Sequence, residues 1–327
     1  MEKDSRIYVA GHRGLVGSAI CRELEKLGYA NLLLRTHAEL DLTEPHAVNR
    51  FFQAERPEFV FLAAAKVGGI LANDTYQADF IRENLLIQTN VIEAGYRSGV
   101  TRLIFLGSSC IYPKLCPQPI KEEYLLTGPL EPTNRAYAIA KIAGVEMCWA
   151  YNRQFGTRFL AVMPTNVFGP GDNYDPNTSH MLPALIRRVS EAKAKGIRQL
   201  VVWGTGTPRR ELLYSDDLGE ACIFLMNLAE DEYSELLNDH QPPLINIGTS
   251  IDLTIREIAE TVCRVLKCDC EILFDPSMPD GTPRKLLDSS RLNLLGWRAS
   301  VSLEEGIQLA YEAFNDTTAK AHLPLLT

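Results

Sequence analysis

The chain has 327 residues, 46% of them hydrophobic and 23% charged, with a formal net charge of −8. These proportions are those of a folded globular protein and exclude the disordered and fibrous classes. The acidic balance excludes a generally basic, nucleic-acid-coating surface, so any anionic ligand must be met by a local cluster of Arg or Lys, and the partners expected are small molecules, not nucleic acid.

Short apolar runs alternate with helix-like segments through the first half. In order they are RIYVAG (6–11), VGSAICRELEKLG (16–28), LLLRT (32–36), HAVNRFFQAER (46–56), FVFLAAA (59–65), FIRENLLIQTNVIEAGYRSG (80–99) and RLIFLGSS (102–109). Strand followed by helix, repeated, is the pattern of an α/β fold: a doubly wound parallel sheet with helices on both faces. Gly28 and Gly99 stand where two of the helices should stop. A long helix (136–156) and another strand, RFLAVMP (158–164), follow.

After Pro164 the stretch TNVFGPGDNYDPNTS is dense in Gly, Pro, Asn and Asp and reads as a loop leaving the first layer. Residues 180–196 read as a helix, 199–204 as a strand, and 212–229 as a segment returning to the main domain. A helix (253–266), a strand (270–275) and a final helix (302–314) complete a smaller lobe. The expected division is a dinucleotide-binding domain over 1–170 with 213–247 returning to it, and a substrate lobe of 171–212 and 248–327. Eight Cys with no CxxC pair and no metal-like spacing predict reduced thiols, a cytoplasmic setting and no metal; Cys268 and Cys270 read as strand residues. The opening residues do not read as a secretory leader. The longest apolar stretch, 59–72, is broken by Lys66 and two glycines and is no membrane span.

Gly11, Gly14 and Gly17 follow a strand and open a helix, as a tight turn presenting helix N–H groups to a pyrophosphate requires. An acid at the end of the second strand would receive the ribose hydroxyls of NAD. Here Arg35 and His37 stand instead, with Arg13 inside the glycine turn, a pattern that favours NADP. Asp41 and Leu42 would border the adenine, and the strand ending in Ala63 and Ala64 would lie beside the cofactor.

Tyr137 and Lys141 are four apart on the long helix and so share a face. Ser108 stands at a strand end. Reduction of a ketone needs these types together: a phenol to give the proton, a cation to lower the phenol's pKa, and a hydroxyl to hold the carbonyl oxygen. Bringing a Tyr from near pKa 10 towards neutrality needs roughly 4 kcal/mol. Arg188, Arg210 and Lys285 supply local positive charge suited to a diphosphate.

The glycine cluster, Ser108 and YAIAK (137–141) together resemble the extended short-chain dehydrogenase/reductase family over nearly the whole chain. That resemblance implies a Rossmann domain, a smaller carboxyl-terminal lobe for a nucleotide-sugar, and a homodimer packed through two long helices per subunit. GSSCIYPK (107–114), PTNVFGPGDN (164–173), GTPRR (206–210) and DGTPRK (280–285) resemble the branch that epimerises GDP-4-keto-6-deoxy-D-mannose and then reduces it with NADPH. From that branch Cys110 and His180 are implied as the acid/base pair at carbons 3 and 5, with Cys110 assigned as base and His180 as acid. Arg188, Trp203, Arg210 and Asp280 are implied as substrate contacts. The cofactor contacts implied are His12, Leu15, Val16, Leu106, Gly107, Lys141, Pro164, Asn166, Val167 and His180, beside those above. One departure is His37, where the branch usually carries a basic residue; a neutral imidazole grips a phosphate less tightly. The rival readings are an NAD-retaining nucleotide-sugar 4-epimerase and a non-catalytic dinucleotide sensor.

Overall fold

The computed structural model describes residues 1–176, 178–278 and 280–321. Asn177, Pro279 and 322–327, which the expected substrate lobe includes, lie outside the described residues. The elements in chain order are β1 (Ile7–Ala10), α1 (Leu15–Lys26), β2 (Leu32–Leu33), α2 (Pro45–Glu55), β3 (Phe59–Leu62), α3 (Ile70–Thr75), α4 (Gln77–Ser98), β4 (Arg102–Leu106), α5 (Arg135–Phe155) and β5 (Phe159–Pro164). There follow β6 (Asn166–Phe168), α6 (Met181–Lys195), β7 (Gln199–Trp203), β8 (Arg209–Tyr214), α7 (Ser215–Asn227) and α8 (Glu230–Leu236). The last are β9 (Leu244–Ile247), β10 (Asp252–Thr254), α9 (Ile255–Leu266), β11 (Glu271–Asp275), β12 (Arg284–Lys285), α10 (Ser290–Leu294) and α11 (Leu303–Ala321).

Six parallel strands form the main sheet in the order β2-β1-β3-β4-β5-β9. Their side chains are buried on both faces, which is why the strands read as unbroken apolar runs. Ile7, Val9, Phe61 and Ile104 pack on one face against α1 and α7. Tyr8, Val60, Leu103 and Phe105 pack on the other with α2, α4 and α5. The chain order reverses between β1 and β3, and the crevice outside the carboxyl ends of the strands at such a point is where this Rossmann-type architecture takes ligands. Gly28 and Gly99 close α1 and α4 in the left-handed region, with φ of +81° and +74°.

A second sheet joins β10, β8 and β12, with β6 added beside β8, and β7 pairs with β11. Phe168, Leu182, Ile186, Ile258 and Val262 lie in its core. Thr254 caps α9 with a reciprocal Glu257 bond.

Three sequence expectations are corrected, and one strand in the returning segment went unread. Residues 166–168 are strand, not loop, because Val167 and Phe168 bury apolar surface and the backbone pairs with Leu212–Tyr214. The second strand is two residues long and ends before Arg35. Leu244–Ile247, which has only four residues to carry a pattern, is the sixth strand. Cys268 and Cys270 precede β11 in irregular backbone, where the Cys270 sulfur lies 3.5 Å from that of Cys263. Among the described residues no helix is long and apolar enough to cross a membrane, and no group of His, Cys, Asp and Glu could hold a metal ion.

Candidate active site

The turn between β1 and α1 is built by close approach. A Cβ on Gly17 would stand 2.1 Å from the Gly11 carbonyl oxygen, and one on Gly11, whose φ is +83°, would stand 2.7 Å from the Ala64 nitrogen. The chain from Gly11 to Val16 therefore folds tightly over Ala63 and Ala64 at the end of β3. Gly14 leads into α1, whose first N–H groups have no partner within the helix. A cradle that a single methyl would fill fits a pyrophosphate.

His12 and Arg13 lie inside this turn, and burial, then Arg13, push the His12 imidazole down. Glu39 sits among Arg35 and Arg13 but is already bound by the Thr36 N–H and hydroxyl, at 2.7 and 2.8 Å. Arg35 is held by Glu55 at 2.6 Å. His37 is largely exposed, its Nδ1 3.8 Å from Asp41, and Asp41 accepts from the Thr43 N–H and hydroxyl. Leu42 is buried. The rim of the second strand thus offers cations and committed carboxylates, an arrangement that fits the extra phosphate of NADP.

At the end of β4, Gly107 allows the chain to pass Met163; a Cβ there would stand 1.8 Å from its Cε. Ser108 is extended, and its hydroxyl accepts from the Cys110 N–H at 3.4 Å. Helix α5 brings Tyr137 and Lys141 to the same place. Lys141 Nζ donates to the Leu106 carbonyl at 2.7 Å and stands 5.8 Å from the Tyr137 ring centroid. Ser108 neighbours both the Tyr137 phenol and the Cys110 thiol, and its hydroxyl draws each pKa down.

Burial outweighs the influence of Ser108. It pushes the Tyr137 phenol well up, with the neighbouring Cys110 adding to the rise, and lowers Lys141 to about 8. The Lys141 ammonium is held by the Leu106 carbonyl over the Tyr137 ring, and burial remains the largest influence on the phenol. A phenol kept protonated is nonetheless the form that gives a proton to an alkoxide.

Burial also raises the Cys110 thiol, and the strongest opposing influence is the ammonium of Lys285. Lys285 and Cys110 line one pocket with Lys114, Glu131 and Asn134. His180 directly precedes α6, where surrounding protein lowers its imidazole and Lys285 lowers it further. Burial thus favours the protonated thiol and the neutral imidazole. Both groups answer to the same cation.

From Lys285 the site runs outward. β12 places Lys285 opposite Arg210, whose Nη1 donates to the Thr282 carbonyl at 2.6 Å and whose charge faces Asp280. Asp280 accepts from the Thr205 N–H and hydroxyl at 2.9 and 2.7 Å. Trp203 stands just before this turn and is 67% exposed, not in the core as a Trp after two valines usually is. Arg188 donates to the Val201 carbonyl on the same strand. At the nicotinamide end expected from the sequence, Pro164 closes β5, and Asn166 donates to the Glu211 carbonyl at 2.9 Å beside Val167 on β6.

Sequence reasoning missed Asn134, whose Oδ1 is buried without a partner in the Cys110 pocket. Its one signal is a place three residues before Tyr137. It also missed Glu211, a wholly buried acid just after the GTPRR run.

Residues 7–248 match the model of the NAD dependent epimerase/dehydratase family. The chain belongs to that family. Members of similar sequence include GDP-L-fucose synthase 1 of Arabidopsis thaliana, 56% identical over 95% of this chain and 93% of its own. The GDP-L-fucose synthase of Escherichia coli K12 is 53% identical over 94% of this chain and 96% of its own. Among solved structures, a GDP-mannoheptose C4 reductase from Campylobacter jejuni with NADP bound superposes with a TM-score of 0.88 at 39% identity, covering 96% of this chain and 99% of that one.

Proposed function

We propose that this family member is an NADPH-dependent GDP-L-fucose synthase, converting GDP-4-keto-6-deoxy-D-mannose to GDP-L-fucose by 3,5-epimerisation and reduction at carbon 4. The observation that carries the reading is the meeting of Ser108, Tyr137, Lys141, Cys110 and Lys285 at the carboxyl edge of β4, in a chain with near full-length GDP-L-fucose synthase relatives above 50% identity.

Protons beside a ketone are removed to give an enolate whose oxygen sits at carbon 4, within reach of Ser108 and Tyr137. Inversion needs one group on each face of the ring. Lys285 stabilises the thiolate in which Cys110 takes a proton, and His180, once protonated, returns one. Tyr137 then protonates the carbon-4 oxygen, with Lys141 holding charge beside it. NADPH, when bound, supplies the hydride. Gly11 to Gly17 would hold its pyrophosphate, and Arg13, Arg35 and His37 its extra phosphate. Arg188, Arg210, Trp203 and Asp280 would hold the GDP portion.

A carbon-4 epimerase that retains NAD would leave Cys110 and His180 without work. We assign residues 1–170 with 213–247 to cofactor binding, and 171–212 with 248–327 to substrate. We further propose a cytoplasmic homodimer packed through α4 and α5, with no nucleic-acid partner. All eight thiols are free, and α5 leaves Ile139 and Phe155 exposed.

The test is turnover of GDP-4-keto-6-deoxy-D-mannose with NADPH and identification of the product by NMR. GDP-L-fucose formed with one NADPH consumed supports the reading; a product reduced at carbon 4 with carbons 3 and 5 unchanged overturns it.

A further inference from the structure

Glu211 lies on β8 one place beyond Arg210, and its side chain touches none of the reacting groups. Its carboxylate accepts from the Leu287 N–H at 2.9 Å and the Ser250 N–H at 2.7 Å. Its backbone carbonyl accepts from the Thr165 hydroxyl at 3.2 Å and the Asn166 side chain at 2.9 Å. Gly248 makes room for it, since a Cβ there would stand 2.3 Å from Oε1. One residue therefore joins the end of β5, the turn after β9 and the chain leaving β12. These are the main sheet and the strand that bears Lys285.

That strand needs the anchor. β12 has two residues, paired with Arg209 and Arg210 on one side. On the other side the Leu286 N–H donates to Gln118 at 2.9 Å and the Leu286 carbonyl accepts from Ile120 at 2.7 Å. Lys285 is followed within two residues by the N–H that Glu211 holds. We infer that Glu211 is a positioning residue for the epimerising half of the site: by fixing Leu287 it keeps the Lys285 ammonium beside the Cys110 thiol. A Gln at 211 turns an N–H₂ towards one of the two backbone donors, so one bond is replaced by two opposed donors.

The role in catalysis rests on the function proposed above, whereas the test reads the sulfur itself. Cys110 is faced by Lys285 from β12, Lys141 and Tyr137 from α5, and Lys114, Glu131 and Arg284 across the pocket. Alkylation of Cys110 by iodoacetamide, followed by peptide mass spectrometry between pH 6 and 10 in the full chain, reports its thiolate fraction. Lys285→Met should slow alkylation at pH 7.5 about tenfold, and Glu211→Gln about threefold in the same direction. The double variant should be no slower than Lys285→Met alone, because the two changes act through one ammonium. Cys268 and Cys270 should alkylate at unchanged rates throughout. If Glu211→Gln does not fold, Glu211→Asp, which keeps the charge but shortens the reach, is read for the same shift.

An unmoved Cys110 profile in the Glu211 variant overturns the inference. So does equal slowing with and without Lys285. Because no sugar is present, a shifted thiol in a protein that never epimerises counts against the proposed reaction alone. Epimerisation with an unmoved thiol counts against Glu211 alone.

Discussion

Lys141 on α5 donates its ammonium to the carbonyl of Leu106, the last residue of β4, at 2.7 Å. The bond pins the helix bearing Tyr137 to the strand end bearing Ser108, and it does so with a buried cation whose pKa is lowered to about 8. The unfolded chain keeps that proton up to about 10.5. Between these values the unfolded state binds more protons, so stability rises with pH across the window. Relative to Lys141→Met, the wild type should gain about 3 kcal/mol between pH 7.5 and 10.5. Urea unfolding of both proteins across that range measures it; a constant difference would mean that the buried ammonium is not disfavoured.

Tyr137→Phe removes the proton donor while leaving the ring against Phe80. The turnover number for NADPH oxidation should fall about 10²- to 10⁴-fold, with the NADPH dissociation constant moving less than about threefold. Stopped-flow absorbance and fluorescence titration separate the two. Reduction surviving within about tenfold would assign the proton to another group.

Gly17→Ala forces a methyl against backbone, the Gly11 carbonyl, which cannot swing aside as a flexible side chain would. The expected cost is about 1–3 kcal/mol in stability. NADPH affinity should fall at least about tenfold, because the turn must open to admit the methyl. Calorimetric titration showing unchanged affinity would remove the glycine turn from cofactor binding.

The Tyr112 hydroxyl donates to Asn246 Oδ1 at 2.6 Å in the core, and Asn246 in turn donates to the Ile120 and Asp288 carbonyls. Tyr112→Phe leaves a buried acceptor unpaired and should cost about 1–3 kcal/mol. Thermal unfolding within about a degree of wild type would show that the network does not stabilise the fold.

What the sequence made legible was local. Gly11, Gly14 and Gly17 lie within one turn, and Tyr137 and Lys141 within one helical turn, so spacing alone brings each group together. Ser108 and Cys110 could be placed because a strand plainly ends before them. Lys285 stood out as positive charge within DGTPRK but not as a neighbour of Cys110, since that closeness depends on a two-residue strand pairing with β8 far away in the chain. Glu211 sits beside the GTPRR run, but that run did not single it out, because its partners are backbone N–H groups of two distant turns. The loop read at 165–168 failed for the same reason: Asn166–Phe168 becomes strand only when β8 lies beside it. Trp203, read from the resemblance as a substrate contact although a Trp after two valines is usually core, is exposed because β7 belongs to a two-stranded sheet whose outer face is open.

The claim at the centre is that one pocket both inverts carbons and reduces a ketone. The most direct measurement is the deuterium content of the product after turnover of GDP-4-keto-6-deoxy-D-mannose with NADPH in deuterated water, for wild type and Cys110→Ser. Wild type should carry deuterium at carbons 3 and 5 with one NADPH oxidised per product, and Cys110→Ser should lose the label more than it loses hydride transfer. NADPH consumption by wild type with no deuterium at either carbon would contradict the account.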